Sequence, residues 1–117
     1  MRNYKEGYYI IKVNDKYAVY DNKGKEIIPF KYDYIGEFNA GLAEVKSGIK
    51  WGYINMLDSL VFPLKFDEVS PFLGDTALVV FNNKKYNLSR SGTMSVYRVD
   101  SSKFTYTIYP RFVFGEN

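Results

Sequence analysis

Gly41-Leu42-Ala43-Glu44-Val45-Lys46, then Ser47-Gly48, then Lys50-Trp51-Gly52-Tyr53-Ile54-Asn55, and further on Leu60-Val61-Phe62-Pro63 and Lys65-Phe66-Asp67, read as strand segments separated by turns. Leu42–Lys46 alternates apolar and polar residues, the pattern of a strand with one buried face. Ser47-Gly48 supplies a turn, because glycine tolerates positive φ. Lys50–Asn55 is a second strand, Met56-Leu57-Asp58-Ser59 a second turn, and Leu60–Pro63 a third strand. Proline lacks the amide proton that a central ladder needs, so Pro63 reads as a strand end. The stretch is a three-stranded antiparallel meander.

Working outward, the same pattern stands 34 residues upstream without a gap. Gly7 meets Gly41, Lys12 meets Lys46, Lys16 meets Lys50, Pro29 meets Pro63, Lys31 meets Lys65, Asp33 meets Asp67 and Phe38 meets Phe72. Tyr17 stands level with Trp51, and Ala18 with Gly52. A second step carries Ala43 onto Ala77, Val45 onto Val79, Lys50 onto Lys84 and Ile54 onto Leu88, and the period fades after residue 92. The chain therefore reads as one domain, 1–117: repeat 1 over 7–40, repeat 2 over 41–74, a degenerate partial repeat 3 over 75–93, and a C-terminal β cap over 94–117. The fold class is all-β, with no helical period. Tandem three-stranded repeats are expected either to form a solenoid or to curl towards a barrel, closed by the C-terminal hairpin.

The anchors Lys50-Trp51-Gly52-Tyr53-Ile54-Asn55, Val61-Phe62-Pro63, Phe66-Asp67 and the upstream Gly41–Val45 resemble the WG-repeat family of bacterial proteins. The first copy carries Lys16-Tyr17-Ala18-Val19-Tyr20-Asp21, Gly24-Lys25, Ile27-Ile28-Pro29, Lys31-Tyr32-Asp33 and Phe38. Only one copy has the Trp-Gly pair, Asp58 stands where the turn glycine is usual, and the third copy lacks the proline. The resemblance implies repeated β modules that bind macromolecules, without catalytic residues to carry over.

Composition narrows the chemistry. There is no His and no Cys, which removes imidazole bases, thiolate nucleophiles, disulfides and the usual zinc, haem and iron–sulfur sites. No phosphate-cradling loop or nucleophile elbow is present. Neither a cofactor nor a metal is expected. Asp33 and Asp67 are the one tempting carboxylate pair, and as repeat equivalents they are expected to cap turns through their own backbone amides. The recurring rings Tyr17, Phe38, Trp51 and Phe72 are expected in the core between repeats, with Gly52 where a backbone comes close and Pro29 and Pro63 at strand ends.

Net charge is +3. Residues 1–83 sum to −1 and residues 84–117 to +4, so the excess is C-terminal. Phe104-Thr105-Tyr106-Thr107-Ile108-Tyr109 is an uncharged, β-prone run between Lys103 and Pro110-Arg111. Such a strand caps the array or recruits a partner strand. Lys103, Tyr106, Tyr109, Arg111 and Phe112 are accordingly the candidate partner-binding residues. The expected function is a non-enzymatic protein-binding module, an adaptor or an inhibitor of a larger protein. The alternative is single-stranded nucleic-acid binding through the basic, Tyr-rich C-terminal strands. Homodimerisation through an edge strand is a third partner option. No run approaches a membrane span or a signal peptide, so a cytoplasmic location is expected and a membrane is not.

Overall fold

The computed structural model describes residues 2–3 and 7–97. The expected strand Phe104–Tyr109 and the candidate residues Lys103, Tyr106, Tyr109, Arg111 and Phe112 lie outside the described residues, as does any closure by a C-terminal hairpin.

The described residues form 12 strands and no helix. They are β1 (Arg2–Asn3), β2 (Tyr8–Val13), β3 (Lys16–Asp21), β4 (Glu26–Tyr32), β5 (Tyr34–Ile35), β6 (Ala43–Ser47), β7 (Lys50–Ile54), β8 (Leu60–Phe66), β9 (Glu68–Val69), β10 (Thr76–Phe81), β11 (Lys84–Ser89) and β12 (Met94–Val96). Three four-stranded antiparallel sheets result, ordered β1-β2-β3-β4, β5-β6-β7-β8 and β12-β11-β10-β9. Each is the expected three-stranded meander plus a two-residue edge strand, β1, β5 or β9. The third sheet is complete: β12 pairs Met94 with Leu88 and Val96 with Tyr86, so residues 94–96 continue the repeat rather than open a separate hairpin.

Turn chemistry sets the registers. The β2–β3 loop, Asn14-Asp15, and the β10–β11 loop, Asn82-Asn83, hold both residues at positive φ, between 52° and 67°. Such turns match the twist of the strands they join, and Asn and Asp tolerate the conformation. At the second turn of each repeat a short polar side chain folds back on the backbone. Asp21 Oδ1 accepts from the amides of Lys23 and Lys25, Asn55 Oδ1 from those of Leu57 and Ser59, and Ser89 Oγ from that of Thr93. This turn also needs one left-handed residue, which Gly24 and Gly92 supply at φ 88° and 100° and Asp58 at 61°.

The prolines do not end strands. In β4 the pairing jumps from Val19↔Ile28 to Tyr17↔Tyr32, and in β8 from Tyr53↔Phe62 to Trp51↔Phe66. Pro29 and Pro63 therefore sit in bulges on edge strands, where the missing amide proton costs no ladder bond.

The sheets stack in an open row and close no barrel among the described residues. One core joins the first and second sheets: Tyr8, Ile10, Val19, Ile28 and Tyr32 face Ile35, Phe38, Ala43, Val45 and Ile54. The other joins the second and third: Leu42, Tyr53, Phe62 and Phe66 face Phe72, Ala77, Val79 and Leu88. The middle sheet serves both, since successive residues of a strand point to opposite faces: Ile54 enters one core and its neighbour Tyr53 the other.

Candidate functional site

Asp33 and Asp67 cap hairpins, but not their own. Asp33 Oδ1 holds the Lys16 ammonium at 2.6 Å and its Oδ2 accepts from the Gly48 amide at 2.7 Å. Asp67 repeats this with Lys50 at 2.5 Å and the Asn82 amide at 3.2 Å. Each carboxylate thus clasps the hairpin of one sheet to that of the next. The lysine contact, followed for Asp33 by the Gly48 amide, draws both carboxyls below their ordinary range. A general acid at neutral pH needs the opposite shift.

Above the clasps runs a row of rings. Tyr17 and Tyr34 meet with centroids 5.1 Å apart and planes tilted 58°, and Tyr34 meets Trp51 at 5.6 Å and 66°. Lys12 lies 5.7 Å over Tyr17, and Lys46 5.5 Å over Trp51. All three rings are half-buried: Tyr17 leans on the first core and Trp51 on the second, so these two expected core anchors form the core's rim. Tyr34 went unrecognised in the sequence. The signal that finds it is a half-period of 17 residues, which relates Tyr17, Tyr34 and Trp51 just as it relates Lys16, Asp33, Lys50 and Asp67. Two further steps reach Glu68 and Lys85, which with Ser70, Leu78 and Val80 line a groove of about 240 Å³ on the third sheet.

The mutual tilt matters for chemistry. Stacking bases requires open ring faces in sequence, whereas Tyr17 and Tyr34 are tilted against each other, Tyr34 and Trp51 meet edge-on, and lysines lie over the two outer rings. Mutually tilted rings with cations over them instead make a firm amphipathic ridge.

Beneath the ridge the remaining anchors are structural. Phe38 packs edge-on against Tyr8 at 5.3 Å, and its amide donates to the Tyr8 hydroxyl. Phe72 packs on Tyr53 at 4.8 Å. The Tyr53 hydroxyl donates to the Ser70 carbonyl at 2.6 Å, and burial, with the nearby Glu44 charge, pushes its pKa up. Glu44 is buried where the first sheet has Ile10, with its carboxylate over Gly36. Gly52 stands against the β8 bulge, where a Cβ would come within 2.5 Å of the Phe62 carbonyl oxygen. Among the described residues no cluster of three or more carboxylates is placed to hold a metal, and no helix is long and apolar enough to cross a membrane.

A family model described as "WG containing repeat" matches residues 1–17, 18–50 and 51–86. No curated protein and no solved structure matches the chain.

Proposed function

The chain belongs to the WG-repeat family, and we propose that it is a non-enzymatic protein-binding module whose docking ridge is the row Tyr17–Tyr34–Trp51. The observation that carries this reading is the row itself: three half-exposed rings in tilted and edge-on contact, flanked by Lys12 and Lys46 and spanning the seam between two sheets. Tyr and Trp provide large, stiff contact area with a polar tip, and such residues dominate binding energy at protein interfaces. The rigid scaffold beneath them lowers the ordering cost of docking. The partner is a larger protein that this module adapts or inhibits, and the site of action is the cytoplasm.

The test is capture from a lysate, with and without nuclease, using the full chain and a bait carrying Tyr34→Ala and Trp51→Ala. One protein retained through nuclease and lost with the variant bait supports the reading. Capture that vanishes with nuclease assigns the chain to nucleic acid instead, and capture indifferent to the variant removes the ridge from the binding surface.

A further inference from the structure

In the first two sheets, the face turned towards the next sheet is covered by it. Ile10 pairs with Val19 in the first and Glu44 with Tyr53 in the second, and all four are buried. Each meander also ends on a ring of this face, Tyr32 opposite Tyr17 and Phe66 opposite Trp51, and both rings are buried. The third sheet repeats the pattern. Leu78 pairs with Asn87, and the Tyr97 amide donates to the Lys85 carbonyl at 2.9 Å, which puts Tyr97 where Tyr32 and Phe66 stand. Here Leu78, Asn87 and Tyr97 are only half-buried.

This outward face is divided in two. At one end it carries Thr76, Asn87, Ser89 and Ser95, which the strand pairing places on the same side. At the other, Glu68, Val80, Lys85 and Tyr97 lie in a row across the four strands, with Leu78 beside Val80. The groove of about 240 Å³ opens there, against Leu78, Val80 and Lys85. A whole further sheet would take the polar end out of water, which is costly without hydrogen-bond partners. A cover one strand wide leaves that end wet. The groove is also smaller than the roughly 300–1,000 Å³ of small-molecule pockets, and suits side chains.

We propose that this cover is the chain's own run Phe104–Tyr109, with Phe104, Tyr106 and Ile108 seated on Leu78 and Val80. Alternation in an extended run puts those three residues on one side and Thr105, Thr107 and Tyr109 on the other. The described residues end at Tyr97, on the groove's own row. Six residues, Arg98–Lys103, separate it from Phe104 and reach about 20 Å when extended. From β12 back to β9 is three strand spacings, about 14 Å. A segment joined so close to its seat acts at an effective concentration on the order of millimolar, ahead of any separate chain of equal fit. The spacing echoes the inner repeats: Phe38 follows Tyr32 by six residues, Phe72 follows Phe66 by six, and Phe104 follows Tyr97 by seven. Tyr106 then belongs to the cover rather than to a partner. The Tyr17–Tyr34–Trp51 ridge is not involved, and failure of this proposal leaves it untouched.

Deuterium uptake of the full chain is the test, comparing Phe104→Asp and Ile108→Asp with Thr105→Asp and Thr107→Asp, which add the same charge on the other side. Either of the first two is expected to speed exchange in β10 and β11 by about tenfold, as loss of one large buried apolar side chain requires. The two threonine variants match wild type, β2 and β3 are unchanged in all four, and wild-type uptake is the same at every dilution. Uptake in β10 and β11 that no variant moves overturns the proposal, as does a response equal on the two sides of the run. Wild-type protection that fades on dilution also overturns it, and assigns the cover to a second copy. If an aspartate variant exchanges faster throughout the chain, Phe104→Ser and Ile108→Ser carry the same comparison.

Discussion

Asp33 is the single residue linking β4 of the first sheet to β5 of the second, and its Oδ2 accepts the N–H of Gly48, 15 residues on in the β6–β7 hairpin, at 2.7 Å. The same carboxylate holds Lys16 of the preceding hairpin through its other oxygen. Three positions in three elements are thus fixed by one short side chain, and Asp67 does the same one repeat later.

These clasps give the protein an acid-sensitive joint. Both carboxyls are held below the usual carboxylate range by their lysine contacts. A depressed folded pKa contributes stability that is fully present above the unfolded value and is lost as pH falls through the folded one. Stability therefore drops below about pH 4, the unperturbed Asp range. In the Asp33→Asn/Asp67→Asn double variant that acid limb is shallower, and urea unfolding at a series of pH values reads the difference.

Tyr53 governs the alkaline side. Its raised pKa means that the unfolded chain ionises first, so the stability it contributes is complete below about pH 10 and is lost as pH climbs towards the folded value. Tyr53→Phe leaves the Ser70 carbonyl without its 2.6 Å donor. At neutral pH it costs about 1–2 kcal/mol. The variant also loses less stability than wild type between neutral pH and high pH, and denaturant midpoints across that range measure both effects.

Asp58 occupies, at φ 61°, the position that Gly24 and Gly92 fill in the other repeats. It gains a 2.9 Å contact from Lys31, an exposed type of pair worth little. Asp58→Gly relieves the backbone and is expected to match or exceed wild type in thermal midpoint. Asp58→Ala removes the pair but keeps the strained backbone, and falls below Asp58→Gly by about 1 kcal/mol.

At Gly52 the constraint is space. An added methyl would meet the Phe62 carbonyl oxygen at 2.5 Å and the Pro63 carbonyl at 2.9 Å, both main-chain atoms that cannot swing aside. Gly52→Ala is expected to destabilise by about 1–3 kcal/mol, the range for overpacking a close-packed site. Chemical denaturation of the variant with circular dichroism checks this.

The 34-residue period was legible because side chains filling equivalent places must be similar, so Phe38 and Phe72 or Asp33 and Asp67 betray each other. The meanders followed from alternation and turn residues. What the residues did not reveal were relationships between neighbouring repeats. A proline tolerated in a bulge looks, in one dimension, like a proline ending a strand, which is why Pro29 and Pro63 read as ends. Tyr34 was overlooked because superposing repeats aligns Tyr17 with Trp51 and leaves the ring between them unmatched. Asp33 was expected to bond its own turn, since nothing local distinguishes that from an amide 15 residues away. Met94 reads as the start of a separate cap because the third copy lacks the proline and most of the anchors, although its strand pairing is that of Leu60.

The middle sheet, whose Tyr53 and Ile54 enter opposite cores, has a consequence for how the molecule breathes. Its two neighbours can each fray from their outer side while the interface behind them holds. The amides of β6 and β7 become reachable by solvent only when both interfaces are lost together. Deuterium uptake should therefore be slowest in these two strands and graded outward to both ends, so that opening moves inward from the ends of the row and its centre is the last part to exchange.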